Sequence, residues 1–171
     1  MMTIINIAVI VLTVVANYML FKKANTEGWK AIIPIYNDYT CCKIANCIKL
    51  FYIKLILTIV GAMLIVIPYI AVFATVLMEL EMGGELNDFP TSVIVYMLLI
   101  IVGVFVLLAA IIVTVFTNIK YVKMFSEQTV FAVFAGIGAF FGISNTVVLC
   151  ILAFNDKYSY IDNTADDSAK I

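Results

Sequence analysis

Ser92-Val-Ile-Val-Tyr-Met-Leu-Leu-Ile-Ile-Val-Gly-Val-Phe-Val-Leu-Leu-Ala-Ala-Ile-Ile-Val-Thr-Val-Phe-Thr-Asn118 contains no charged side chain. Many of its residues favour strands, but a helix needs about 20 apolar residues to cross a hydrocarbon core of about 30 Å, and this run meets that length without interruption. Length, more than propensity, makes it a membrane-spanning helix. The rest of the chain agrees: 65% of residues are hydrophobic, 12% are charged and the mean hydropathy is +1.15, against about 25% charged in ordinary soluble domains.

Outward from that run, three further apolar stretches read as spans. The first covers 3–21, with Asn6, Thr13 and Asn17 as polar intrusions expected to face the bundle. No Lys precedes it and Lys22-Lys23 follow it, the reverse of a secretory signal, so it reads as a retained span. The second covers 50–78; Lys54 near its start reads as an anchor snorkelling to the headgroups and Pro68 as a kink. The fourth covers 129–154 and is rich in Ala and Gly. There Gly138 and Gly142 form a small-x-x-x-small face, read first as internal packing and second as a homodimer face, while Asn145 at depth needs a hydrogen-bond partner.

The segment between the first two spans is too polar and broken to cross. Pro34 interrupts it, and Asn37 or Asp38 is placed to cap a short interfacial helix over about 37–45. Trp29, Tyr36 and Tyr39 read as an aromatic belt at the headgroups. The expected architecture is all-α: a polytopic helical bundle over 1–158 with four transmembrane helices plus this interfacial helix, and a polar, disordered tail over 159–171.

Charge sets the threading. Lys22 to Lys54 holds six Lys against Glu27 and Asp38, for +4; Glu79, Glu81, Glu85 and Asp88 give −4; Lys120 and Lys123 against Glu127 give +1; the tail gives −2. With four crossings, the positive-inside rule makes the Lys-rich connectors cytoplasmic and puts both termini outside a plasma membrane. An offset of one hundred residues aligns Lys23, Thr26 and Glu27 with Lys123, Ser126 and Glu127, a trace of two parallel half-repeats.

The stretch from Phe21-Lys22-Lys23-Ala24 through Gly28-Trp29, then Ala31-Ile32-Ile33-Pro34-Ile35-Tyr36-Asn37 and Tyr39, followed by Lys43-Ile44-Ala45, resembles a bacterial family of uncharacterised small membrane proteins. Lys123 with Phe125 and the closing Phe154-Asn155-Asp156-Lys157-Tyr158 look like that family's second connector and end. The resemblance implies a four-span protein of unknown function, some of whose relatives are joined to, or labelled as, type I signal peptidases. Asn25 and Asn46 stand where the family favours Gly, and the Pro expected near Ser144-Asn145 is absent.

A signal peptidase needs an activated Ser with a Lys base in an exported domain, and neither Ser159 nor Ser168 has an organised partner in this sequence. With no His and no Arg, imidazole catalysis and bidentate phosphate clamps have no residues to use. We therefore expect no enzyme, no cofactor, no metal site and no nucleic-acid partner. Cys41, Cys42, Cys47 and Cys150 read as reduced thiols acting as small hydrophobes.

The partners expected are the lipid bilayer and either another membrane protein or a second copy. The first functional expectation is a non-catalytic scaffold or accessory subunit, binding through the fourth span. The alternative is a small transporter or channel built on the half-repeats, with a cavity lined by Trp29, Tyr36 and Asn37 beneath Asn145. The residues singled out for interaction or packing are Gly28, Trp29, Pro34, Tyr36, Asn37, Tyr39, Gly138, Gly142 and Asn145.

Overall fold

A computed structural model describes residues 2–81, 91–141 and 143–161. The elements are α1 (Met2–Lys23), a 3₁₀ turn (Gly28–Ala31), α2 (Pro34–Ile44), α3 (Ile48–Glu81), α4 (Thr91–Lys123), α5 (Thr129–Phe141) and α6 (Ile143–Phe154). Among the described residues there is no strand. Three of the helices, α1, α3 and α4, are long and apolar enough to cross a membrane.

The expected fourth span is not one helix. With 13 residues in α5 and 12 in α6, each measures about 20 Å at a rise of about 1.5 Å per residue, short of a hydrocarbon core. The two fold back on each other: the Ser144 hydroxyl donates to the Phe134 carbonyl at 2.8 Å, and Gly138 lies directly against the backbone of Asn145. Far from that turn, the rings of Phe131 and Tyr158 meet edge-on at 5.6 Å. The Ser-Asn-Thr interruption thus begins a return leg.

Residues up to Phe51 and from Val113 onward form one compact unit. In it α6 runs parallel to α1. Thr13 and Thr146 share a hydroxyl hydrogen bond at 2.7 Å, and toward the other end the Lys23 ammonium donates to the carbonyls of Leu152, Asn155 and Tyr158 at 2.8, 2.9 and 3.0 Å. One cation thereby serves one carbonyl of the last turn of α6 and two just beyond it. Leu20, Phe21, Val122, Phe125 and Leu152 are fully covered around this end. The Ile161 N–H donates to the Met124 carbonyl at 2.8 Å. Residues 155–161 therefore lie at the Lys23 end, where four crossings would have put them at the opposite one.

The segment after α1 also returns. Asn25 takes a left-handed φ of 52°, with Asn25 N–H on Lys22 O at 3.1 Å and Thr26 N–H on Phe21 O at 2.8 Å, the paired bonds of a Schellman stop. Gly28 then packs under Tyr18, where an added Cβ would meet the ring at 2.7 Å. Pro34 does not break a helix: it opens α2 at the first position, after an extended Ile33, where its missing N–H has no helical partner to lose. That moves the start from the expected Asn37 or Asp38. A second left-handed Asn, Asn46 at φ 51°, ends α2.

α5 returns along α4 in the same way. A Cβ on Gly136 would sit 3.2 Å from Ile119 and 3.5 Å from Val115. Each aligned Lys-x-x-Thr/Ser-Glu corner is thus followed by a segment that doubles back along the helix just finished.

Residues 52–112 form the second unit, an antiparallel helix pair whose axes approach at Gly61 and Gly103. A Cβ on Gly103 would lie 2.7 Å from Ile65, 3.0 Å from Leu64 and 3.2 Å from the Gly61 carbonyl. In lipid, where apolar burial gives little drive, such close backbone packing is what joins helices. Pro68 is buried in α3, which continues through it.

Candidate ligand cavity

Two turns meet beside α1. The chain from Ala31 to Asn37 passes alongside Val9, Ile10, Thr13 and Val14, and the start of α6 brings Asn145 and Thr146 to the same place. Together with Ile32 and Pro34, these residues line an open cavity of about 430 Å³, within the range of about 300–1,000 Å³ usual for small-molecule sites.

Its wall is apolar except for two hydroxyls and two carboxamides. Thr13 is already engaged with the Val9 carbonyl at 2.8 Å and with Thr146 at 2.7 Å. Asn37 accepts the Cys41 thiol at 3.6 Å through Oδ1. Cys41 in turn lies beside Tyr121, whose hydroxyl donates to Asn17 Oδ1 at 3.5 Å in the buried interior. A polar string thus runs from the cavity wall to the covered Asn17. No lining residue is ionisable, so the cavity offers amide and hydroxyl groups to a neutral partner and no counter-charge to an ion.

The structure brings together Pro34, Asn37 and Asn145 from the expected set. It leaves Trp29 and Tyr36 out of the cavity: both are about half exposed, their rings 5.9 Å apart. The Trp29 indole N–H donates to Glu27 at 2.9 Å, and Glu27 also pairs with Lys30 at 3.2 Å. The Lys30 hydrogen bond, its charge and the indole N–H together hold the Glu27 carboxyl below its ordinary pKa. Tyr39 packs edge-on against Phe51 at 5.5 Å. Gly28 and Gly138 are packing positions, under Tyr18 and against Asn145; Gly142 lies outside the described residues.

Asn6, expected to face the bundle, is exposed, whereas Asn17 is buried and Thr13 half-buried. Sequence reasoning missed the Thr13–Thr146 bond, the Lys23 clamp and the Gly61–Gly103 approach. The last had a visible signal, a lone Gly in each of two apolar runs. None of the four cysteines is bridged to another, and among the described residues no three His, Cys, Asp or Glu side chains are arranged to hold a metal ion.

The fold therefore defines a membrane-associated, all-helical protein. The chain matches no family model, no curated protein and no solved structure.

Proposed function

We propose that this chain is an integral membrane protein that binds, and passes across the bilayer, a small neutral solute bearing hydroxyl or amide groups. The observation that carries this reading is the meeting of Asn37, Asn145, Thr13 and Thr146 around one cavity. Thr13 lies ten residues before Lys23 in α1, about 15 Å along the axis. With the Lys-bearing end at a headgroup layer, the cavity falls near the bilayer midplane. Polar side chains and broken helices at that depth are costly unless they line a site, and the doubled-back segments after the two aligned corners support a half-repeat design.

In this reading the Lys-bearing end is cytoplasmic by the positive-inside rule. Residues 155–161 share that side, α1 begins outside, and α5–α6 is a re-entrant pair. The chain then works by binding and not by catalysis. Ala132, Ala135, Gly136 and Gly138 are buried within the chain, which supports reading that small-residue face as internal packing.

The test is flux. Proteoliposomes containing the purified protein are mixed with a glycerol or urea gradient and followed by stopped-flow light scattering. The expected result is re-swelling faster than in empty liposomes, returning to the empty-liposome rate in Asn145→Leu and Asn37→Leu. Equal rates with and without protein, together with a stoichiometric protein partner in gentle-detergent pull-downs, would favour the scaffold.

A further inference from the structure

The corner between α2 and α3 brings two thiols together. Asn46 in its left-handed conformation lets its own N–H reach Lys43 O at 3.1 Å and the Cys47 N–H reach Cys42 O at 2.8 Å. Residue 47 is thereby folded back over residue 42, which brings the thiols of Cys42 and Cys47 close enough to interact. They differ in surroundings. Cys42 is 1% exposed and Cys47 6%, but of the two it is Cys47 that lines a second cavity, of about 530 Å³, together with Asn46, Lys49 and Lys120.

We propose that Cys42 and Cys47 form a dithiol site that reacts with hydroperoxides, Cys47 as the attacking sulfur and Cys42 as the resolving one. The cavity gives a small oxidant access to one sulfur, and the corner holds the second within reach of it. The charge environment sorts the roles. The Cys42 hydrogen bond and the Lys120 ammonium favour the Cys47 thiolate against the cost of its burial, bringing its pKa to about 7. The same hydrogen bond, then burial and the neighbouring Cys47, Cys41 and Asp38, keep Cys42 protonated. A thiolate is the nucleophile in such chemistry, and a neighbouring thiol resolves the product.

The reaction balances with hydrogen peroxide as oxidant. The Cys47 thiolate attacks one peroxide oxygen; the O–O bond breaks, an S–O bond forms, and the departing hydroxide takes a proton to become water. Cys42 then attacks the Cys47 sulfur; the S–S bond forms, the S–O bond breaks, and hydroxide leaves with the Cys42 proton as a second water. Two thiols lose two electrons and the peroxide gains them. A cytoplasmic thiol pool would reverse the step by exchange.

The full chain in detergent, treated with hydrogen peroxide at micromolar concentration, tests this by intact mass and non-reducing peptide mapping. The expected product is lighter by about 2 Da, with Cys42 joined to Cys47. In Cys42→Ser the reaction stops at a Cys47 sulfenic acid that dimedone traps. Iodoacetamide labelling of Cys47 in the untreated wild type rises half-maximally near pH 7, and at that pH runs at least about tenfold faster than at Cys150. Oxidation of Cys47 no faster than that of Cys41 and Cys150 would overturn the proposal. So would a wild-type sulfenic acid that persists without joining Cys42. Because mass, mapping and labelling are all read on the wild-type chain, a poorly folding variant does not blunt the test.

Discussion

Asn25 and Asn46 show how much a single backbone angle decides. Both occupy left-handed φ at a Schellman stop, and after Gly, Asn is the residue that tolerates that region best. An Asn at each of these corners, where Gly would serve as well, therefore makes the turn. Asn25→Gly should leave the thermal midpoint of the detergent-solubilised protein nearly unchanged. Asn25→Val, with a branched Cβ, should cost about 1–2 kcal/mol; equal midpoints for the two variants would contradict the assignment.

Lys23 is the other decisive residue. Its charge was legible as a topology signal, but its three carbonyl partners come from residues 152–158, too far along the chain for any local pattern to announce. Lys23→Met should destabilise the first unit by about 1.5–3 kcal/mol, the usual worth of hydrogen bonds to a charged group. Lys23→Arg should recover only part, since a planar fork cannot place its donors as a tetrahedral ammonium does. Thermal melts of the three proteins in one detergent give the comparison.

Among the elements, α5 and α6 carry the largest departure from expectation. Their combined apolar length matches a span, so length alone reads them as one helix. What divides them is contact: a Gly at 138 and a serine hydroxyl at 144 that finds the Phe134 carbonyl. Asn145, a carboxamide inside an apolar run, signals a need for a hydrogen-bond partner there without revealing the turn. Gly138→Ala would push a methyl into the Asn145 backbone and force the pair apart, costing about 1–3 kcal/mol by overpacking. In the flux assay it should lose solute passage along with stability. Full flux with unchanged melting would show that the close approach is dispensable.

α2 teaches the complementary lesson. Its existence is legible in the short polar–apolar pattern, but its start is not, because a Pro that interrupts a helix from within is equally a favourable first residue. Its path beside α1 follows from Gly28 under Tyr18 and from the corner at Asn25, contacts between residues that no local pattern pairs.

At the scale of the whole molecule, membrane class was legible because composition and run length leave few alternatives for a backbone that must satisfy its own hydrogen bonds in lipid. Threading was less so. Charge arithmetic assigns each connector a side but presumes the number of crossings, and that number changes when one apolar run folds in half.

The central claim is that α5–α6 enters and leaves at one face, completing the cavity with α1 and α2. Side-specific cysteine labelling tests it most directly. Ser159→Cys and Lys22→Cys are placed singly in a background with the four native cysteines changed to Ser, and a membrane-impermeant maleimide is applied to right-side-out and to inverted vesicles. The account predicts that both positions label in inverted vesicles and neither in right-side-out ones. Labelling of residue 159 from the face opposite residue 22 would restore a fourth crossing and contradict the re-entrant pair.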